Sequence, residues 1–407
     1  MKTPVLMLLL VSLLISCDNT NPVPDRTADP INLTAVQKQR VAQDNEFAFD
    51  LMNRTMADTS DENVFISPLS VSIALGMARN GAIGVTKTEM ETALKMEGLT
   101  DAEINEYYKL MQTTLPDLDP KTRLTIANSI WYRNSFSVKA GFLKTNTDYF
   151  NSEVAALDFN SPDAVKTINK WCSDHTNGLI PEVIKTIDPA QMMFLINAIY
   201  FKGTWVKQFD KKDTRESDFT NELNQRVKVN MMNITDTFAY TEDDYAQYLD
   251  MPYGNQAFSM TVILPKGTGR AADVFKTLTP EKYSQVLKGL DVQKVIVSMP
   301  RFRVKNRFQL KEPLRQMGML KAFQPNAEFD NISDLKPLYI GFVQHDTYVE
   351  VTEEGTEAAA VTTIGFETTS LPVNPYFIVN KPFAFVIREK SSGVILFMGK
   401  LGNVGKF

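Results

Sequence analysis

The chain has 407 residues, of which 43% are hydrophobic and 22% are charged, and its formal net charge at pH 7 is -5. This balance is typical of a soluble globular protein with a substantial core. No dense run of lysine and arginine is present, which argues against a nucleic-acid groove and also against polyanion binding.

The first 17 residues predict an export signal. They read MKTPVLMLLLVSLLISC, with one positive charge at Lys2 and an apolar run from Val5 to Ile15. That run is short for a mature transmembrane helix and is typical of a signal-peptide core. It ends in Leu14-Ile15-Ser16-Cys17, which resembles the bacterial lipobox, where a peptidase cuts before the cysteine and the new amino terminus is acylated. We therefore expect Cys17 to carry a lipid; an ordinary secretory signal is the alternative.

The composition of residues 18–36 predicts a flexible tether, and we expect residues 37–407 to form one domain. The tether is rich in Asn, Pro, Asp and Thr, a composition that favours a solvated chain. With Cys17 lipidated, Cys172 is the one remaining cysteine, so we expect no intramolecular disulfide and a stability that depends on packing. Cys172 lies beside Trp171 in an amphipathic stretch, and we expect a buried, inert thiol.

Helical spacing dominates early in the domain, and strand-like runs dominate later. Helix-like periodicity covers residues 36–56, 71–82 and 86–96. Strand-like runs follow at 124–132, 193–201, 260–264, 295–300, 345–352, 382–387 and 394–400. No repeat or linker divides them. This order favours a single-domain α+β fold over a repeated βαβ arrangement.

The sequence lacks the common catalytic motifs. It has no G-x-S-x-G elbow, no H-E-x-x-H pair and no G-x-x-x-x-G-K-[ST] phosphate loop. His175 and His345 are its only histidines, which excludes a His-rich metal site and leaves few candidates for a Ser-His-Asp triad. We therefore expect neither catalysis nor a metal or other cofactor.

Residues 353–370, EEGTEAAAVTTIGFETTS, are ambiguous between helix and strand. Three alanines favour helix, whereas the glycine before them and the spacing of later residues favour strand. In a strand, one face would carry Thr356, Ala358, Ala360, Thr362, Ile364 and Phe366, and both Glu357 and Glu367 would point the other way. The stretch therefore suits either an exposed loop or a buried strand. A plain edge strand or surface loop is the alternative that composition alone favours.

Several motifs in order resemble the serpin family, the inhibitors that trap proteases by a conformational change. Residues 63–72, NVFISPLSVS, and 195–205, LINAIYFKGTW, resemble two segments of the serpin central-sheet region. The octet Glu353-Glu354-Gly355-Thr356-Glu357-Ala358-Ala359-Ala360 resembles the serpin hinge. Shorter matches are Asn169-Lys170-Trp171, Thr176-Asn177-Gly178, Met299-Pro300-Arg301-Phe302, Asn380-Lys381-Pro382-Phe383 and Leu396-Phe397-Met398-Gly399-Lys400. Together they span nearly the whole mature chain.

The resemblance implies about nine helices around three β-sheets, with an exposed reactive-centre loop at about 353–375. It assigns the shutter, the region beneath the centre of the main sheet, to Ser67, Ser70, Asn197 and His345. It assigns the breach, where the loop begins to enter the sheet, to Trp205 and Arg301. Because Arg301 matches a position that often carries a basic partner for the hinge glutamate, we expect it to pair with Glu353.

The resemblance also implies a suicide substrate: a protease cuts the bait loop, which then inserts into the central sheet. Counting forward from the hinge places the cut at Thr369-Ser370, and counting backward from Asn380 places it at Leu371-Pro372. A chymotrypsin-like pocket would prefer Phe366-Glu367. The candidates are therefore Phe366, Glu367, Thr368, Thr369, Ser370 and Leu371, and the lack of Arg and Lys among them argues against trypsin-like targets.

We expect an exported monomer, lipid-anchored to a bacterial membrane, in the periplasm or on the cell surface. Its expected partners are serine proteases of non-tryptic or broad specificity, with cysteine proteases as a second class. It would touch the membrane through the lipid anchor only and bind no nucleic acid. The alternative function is a non-inhibitory serpin-fold surface protein that binds a ligand.

Overall fold

The computed structural model describes residues 27–356 and 374–405. Within these ranges the chain forms nine α-helices. They are α1 (Ala35–Asp58), α2 (Pro68–Arg79), α3 (Gly84–Ala93), α4 (Asp101–Thr114), α5 (Ala140–Phe150), α6 (Pro162–His175), α7 (Ala271–Thr277), α8 (Pro280–Lys288) and α9 (Lys311–Gln316). Among these described residues, no helix is both long and apolar enough to cross a membrane.

The described strands form three sheets, so the expected α+β architecture of about nine helices and three sheets is confirmed. The strands are β1 (Asn63–Ile66), β2 (Thr122–Arg133), β3 (Ser152–Leu157), β4 (Met193–Thr204), β5 (Arg215–Thr220), β6 (Arg226–Glu242), β7 (Ala246–Pro252), β8 (Phe258–Pro265), β9 (Asp291–Pro300), β10 (Phe302–Gln309), β11 (Gln344–Val351), β12 (Gly355–Thr356), β13 (Tyr376–Ile378), β14 (Phe383–Glu389) and β15 (Ile395–Leu401).

Most of the strands belong to one nine-stranded sheet with the order β1-β15-β14-β8-β7-β6-β9-β13, to which β5 is added beside β6. Every residue of β8, β14 and β15 is buried, which explains their continuous apolar runs. The second sheet is the pair β10-β11, and the third has the order β12-β4-β2-β3.

Helix α2 connects the sheets. Its residues are apolar or small on nearly every side, and almost all of them are buried. It packs against β15 of the large sheet and against β4 of the four-stranded sheet. The polar residues at its start are therefore held in the interior between the two sheets.

The chain contacts the domain before helix α1 begins. The backbone N–H of Ala28 donates to the Asn255 carbonyl at 3.1 Å, and that of Ile31 donates to Ser391 Oγ at 2.9 Å. Ala28, Ile31 and Leu33 pack against the main core. The packed part of the chain thus begins before the predicted boundary at residue 37, because composition averaged over 18–36 hides these three apolar side chains. The predicted signal and residues 18–26 lie outside the described residues.

Candidate functional site

The hinge turn brings the chain back beside β4. After β11 ends at Val351, a tight turn leads into β12, where Gly355 lies opposite Thr204 and Thr356 lies opposite Gly203 in antiparallel register. Gly355 has φ 139°, and a Cβ at this position would lie 2.1 Å from the Gly203 carbonyl oxygen. A glycine is therefore required for the hinge to approach β4 so closely.

Glu353 is buried at the breach and forms the expected ion pair with Arg301. Its Oε1 accepts hydrogen bonds from Arg301 Nε at 2.7 Å and from Thr214 Oγ1 at 2.5 Å. Glu353 is 1% exposed and Arg301 is 29% exposed. Burial alone would raise the pKa of the Glu353 carboxyl, but the hydrogen bonds from Arg301 and Thr214 outweigh burial and hold this pKa below its usual value. The carboxylate is thus ionised and fixed.

Glu354 is buried too, and it pairs with a different cation. Lys211, which is 61% exposed, forms an ion pair with the Glu354 carboxylate. The backbone adds two bonds, because the N–H of Trp205 donates to the Glu354 carbonyl and that of Phe209 donates to the Glu353 carbonyl, both at 2.9 Å. The two adjacent glutamates therefore pair with different cations, whereas the segment 205–214 contacts both of them.

An aromatic pair supports the hinge from inside. The ring of Trp205 stacks on that of Tyr253, with 4.3 Å between centroids and 15° between planes. Trp205 Nε1 donates to the Thr352 carbonyl at 3.1 Å, and the Tyr253 hydroxyl lies 3.0 Å from Thr356 Oγ1. Burial raises the pKa of Tyr253, so its hydroxyl stays neutral. Thr356 is 3% exposed and faces the core.

One arm of the shutter joins α2 to β11. Ser67 caps α2, with Pro68 at the first helical position. The Ser67 N–H donates to His345 Nε2 at 2.9 Å, and Ser67 Oγ donates to the Leu396 carbonyl at 2.8 Å. Burial lowers the pKa of His345 to about 4. The imidazole is therefore neutral at pH 7, and because Nε2 accepts, its proton is on Nδ1.

A second arm joins α2 to β4. Ser70 Oγ donates to Asn197 Oδ1, and Asn197 Nδ2 donates to Asn128 Oδ1 at 2.8 Å. Asn128 Nδ2 in turn donates to the Phe150 carbonyl at 2.7 Å. One turn of α2 therefore holds β4 and β11 by two independent sets of neutral hydrogen bonds.

A groove separates the lower parts of β4 and β11. In the described ranges β4 pairs with β2 and β12 while β11 pairs with β10, and no ladder joins β4 to β11. The groove has a volume of about 780 Å³ and is lined by β4 residues 193–199, by residues 335–346 and by α2. Asn197 and His345 face it from opposite sides. A strand edge without a partner can accept the backbone of an added strand.

The structure thus groups the predicted site residues into two clusters on β4. Glu353, Arg301 and Trp205 lie at its upper end, and Ser67, Ser70, Asn197 and His345 lie about 23 Å away, seven residues down the strand. Cys172 is buried, and burial raises the pKa of its thiol to about 12. The remaining predictions, Cys17, hinge residues Glu357 to Ala360 and bait candidates Phe366 to Leu371, lie outside the described residues.

Sequence reasoning missed three residues of these clusters, namely Tyr253, Lys211 and Asn128. Asn128 precedes Ser129 in a strand that periodicity did predict, and an amide within an apolar run was an available signal. Lys211 and Tyr253 have no such signal, since each meets the hinge across more than a hundred residues of chain.

Comparisons with known proteins agree with this arrangement. Residues 42–404 match the family described as Serpin (serine protease inhibitor). The leukocyte elastase inhibitor of Bos taurus is 34% identical over 378 residues, which cover 90% of this chain and 100% of that protein. The thermophilic serpin tengpin in its native state has a TM-score of 0.83 and 32% identity, covering 93% of this chain and 97% of its own. Human thyroxine-binding globulin complexed with thyroxine has a TM-score of 0.82 and 27% identity, covering 91% and 100%.

Proposed function

Because the chain belongs to the serpin family, we propose that it inhibits serine proteases as a suicide substrate, with cysteine proteases as a second target class. The pairing of Gly355 and Thr356 with the upper end of β4 carries this proposal. The chain at this point runs down β4 toward the groove beside Asn197. Cleavage beyond the hinge would free the following residues to continue along the same strand edge.

Insertion would release enough free energy to distort an attached protease. If about a dozen residues insert and each backbone hydrogen bond contributes about 0.5–1.5 kcal/mol, the gain is about 6–18 kcal/mol. This value rivals the whole stability of a typical domain, about 5–15 kcal/mol. The target protease would supply the nucleophile, and this protein would supply the bait bond and the conformational change.

The shutter is suited to strand separation without loss of its hydrogen bonds. Ser67 bonds the β11 side through His345, and Ser70 bonds the β4 side through Asn197. Since each strand is held to α2 and not to the other strand, an inserted strand need not break either arm. His345 is also unsuited to act as a base, because its Nε2 is buried and already accepts the Ser67 N–H.

A binding function is the second candidate, and the groove favours it. Its volume of about 780 Å³ is within the range that small ligands occupy. Thyroxine-binding globulin, a similar protein, has a solved complex with thyroxine. Such a function would not require the loop to insert.

Incubation with elastase, chymotrypsin and trypsin followed by denaturing gel electrophoresis separates the two candidates. An inhibitor forms an SDS-stable complex with elastase or chymotrypsin and none with trypsin. Mass spectrometry of the released carboxyl-terminal fragment would then identify the cut bond among residues 366–371. Complete cleavage of the loop by every enzyme without any complex would exclude the inhibitor and favour the binding protein.

We also propose that the protein is exported and held by a lipid on Cys17, in the periplasm or at the cell surface. Metabolic labelling with palmitate tests the anchor, and protease shaving of whole cells identifies the face. Cys17→Ala should lose the label, whereas Cys172→Ala, which changes the buried thiol, should keep it. Label that persists in the Cys17→Ala variant would exclude this anchor.

A further inference from the structure

Residues 28–33 form a strap that lies across two turns of the large sheet. The Ala28 N–H donates to the Asn255 carbonyl, in the turn between β7 and β8. The Ile31 N–H donates to Ser391 Oγ, in the turn between β14 and β15. The residue that follows the strap caps helix α1. The strap is therefore attached at several points along its length.

Apolar side chains of the strap add to these hydrogen bonds. Ala28, Ile31 and Leu33 are partly buried and pack against the main core. Pro30 and Asn32, which lie between them, are exposed. Side chains that alternate in this way are typical of an extended chain with one buried face. The strap is thus a packed part of the domain.

The turn between β7 and β8, residues 253–257, also supports the hinge. Tyr253 lies two residues before Asn255, and its hydroxyl is 3.0 Å from Thr356 Oγ1. The Gly254 N–H donates to the Thr204 carbonyl, at the end of β4, at 2.8 Å. The strap and the hinge therefore contact the same short turn.

A second segment holds this turn on the side of the strap. Asn255 Nδ2 donates to the Leu118 carbonyl at 2.8 Å, and the Asn255 N–H donates to Asp119 Oδ2 at 3.2 Å. The Asn255 carbonyl accepts from the strap instead. Because the turn is held at Asn255 and contacts the hinge at Tyr253, we expect a shift of Asn255 to displace the Tyr253 ring.

We propose that the strap is a positioning element that keeps the hinge paired with β4 in the intact protein, and that it acts through the 253–257 turn. This inference goes beyond the proposed function, because it concerns the protein before any protease acts. With the strap in place, Tyr253 stays where it meets Thr356. A released strap would leave the turn free to move, and the hinge would leave β4 more often.

Hydrogen exchange of two backbone amides tests the proposal. The Trp205 and Phe209 N–H groups donate to the Glu354 and Glu353 carbonyls, so their exchange reports opening of the hinge. Ala28→Pro removes the N–H that bonds Asn255, and its matched control Ala28→Gly keeps that N–H.

Two further variants complete the set. Ile31→Asp releases the strap in a second way, by placing a charge against the core. Asn53→Ala is the control for global stability, because it removes a hydrogen bond between α1 and the Phe275 carbonyl of α7.

We expect Ala28→Pro and Ile31→Asp to speed the exchange of both amides by about three- to tenfold, the effect of losing one hydrogen bond or a similar contact. Ala28→Gly should stay within about twofold of wild type. Self-association on mild heating should accelerate by the same factor as exchange, since its rate follows the population of the opened hinge.

The coupling must also act in reverse. Arg301→Ala, which weakens the hold on Glu353, should speed exchange of the Ile31 amide in the strap. An unchanged Ile31 amide in that variant would overturn the proposal.

Exchange at Trp205 and Phe209 that stays at the wild-type rate in Ala28→Pro and Ile31→Asp would overturn it too. Faster exchange that Asn53→Ala reproduces at an equal loss of urea midpoint would leave the strap a purely structural role and have the same consequence. If no protease forms a complex with the wild type, the proposed function fails, whereas the exchange of these amides still decides the role of the strap.

Discussion

The two ends of β4 are held in different ways. At the upper end, the hinge already occupies the strand edge, and two ion pairs and the stacked rings of Trp205 and Tyr253 hold it there. At the lower end, Asn197 faces a groove, and neutral hydrogen bonds through α2 hold the neighbouring strands. The charged, packed end sets the register of the added strand, and the neutral end leaves room for it.

This difference between the two ends of β4 indicates that the added strand pairs first at the upper end and then extends downward. A strand that adds from the top extends a pairing that already exists, so each new residue fixes one backbone conformation and gains hydrogen bonds at once. A strand that began at the bottom would first have to close a loop over the full length of β4. The following experiments test whether the upper end determines insertion and whether the lower end permits it.

The largest effect is expected at Thr356. Thr356→Arg would place a charge against the Tyr253 ring. Burying an unpaired charge costs far more than the ~1.4 kcal/mol that corresponds to a tenfold change in an equilibrium constant. We expect the yield of SDS-stable complex to fall by more than about tenfold, with the loop still cleaved. Thr356→Ser keeps the hydroxyl for Tyr253 and should behave as wild type. If Thr356→Arg gains the full thermal stabilisation on cleavage, insertion does not begin at this end.

The next effect concerns His345 at the lower end and depends on pH. Burial lowers the pKa of His345 from 6.5 to about 4, so below pH 6.5 the unfolded chain binds a proton that the folded protein does not. The free energy of unfolding should therefore have its full value above pH 6.5 and decrease by up to about 3 kcal/mol as the pH falls toward 4. His345→Gln should lose this part of the pH dependence in urea unfolding, and His175→Gln should keep it. Identical pH profiles for both variants would contradict the assignment.

A smaller effect is expected at Arg301. Arg301→Ala would leave the buried Glu353 carboxylate with the Thr214 hydroxyl as its one remaining described side-chain donor. The cost should be about 1–3 kcal/mol, below that of a fully buried pair because water reaches the arginine. We expect faster polymerisation on mild heating, measured on native gels, and an intermediate rate for Arg301→Lys. A rate for Arg301→Ala equal to that of wild type would count against a role of this pair in closing the breach.

The smallest effect is expected at Lys211. Because Lys211 is 61% exposed, its pairing with Glu354 should contribute about 0–1 kcal/mol. Lys211→Ala should shift the urea midpoint slightly at low salt and not at high salt. A loss larger than that of Arg301→Ala would mean that Glu354, and not Glu353, is the main attachment of the hinge.

Sequence motifs predicted the residues of the site better than the contacts that join them. The pairing of Glu353 with Arg301 was predictable, because each belongs to a motif with a known place in the family. The partners of Thr356 and Glu354 were not, because Tyr253 and Lys211 reach the hinge only through the tertiary arrangement of β4 and β7.

Local sequence signals likewise predicted some features of the fold and missed others. Helix α2 begins at Pro68, three residues before the periodic stretch at 71–82, because Ser67 caps it. The cap was readable from Ser67-Pro68, whereas apolar spacing alone missed it. The sequence did not predict the groove between β4 and β11. β11 has the alternation that a paired strand would also have, and β4 is largely apolar, as a paired central strand would also be.

The position of Trp205 has an optical consequence. Its indole is buried, stacks on Tyr253 and donates to the Thr352 carbonyl of the hinge turn, so its emission depends on whether the turn stays in place. The other two tryptophans, Trp131 and Trp171, pack edge to face in a separate apolar cluster with centroids 6.2 Å apart. With those two changed to phenylalanine, the remaining fluorophore would report movement of the hinge in real time, in a protein that carries no external dye.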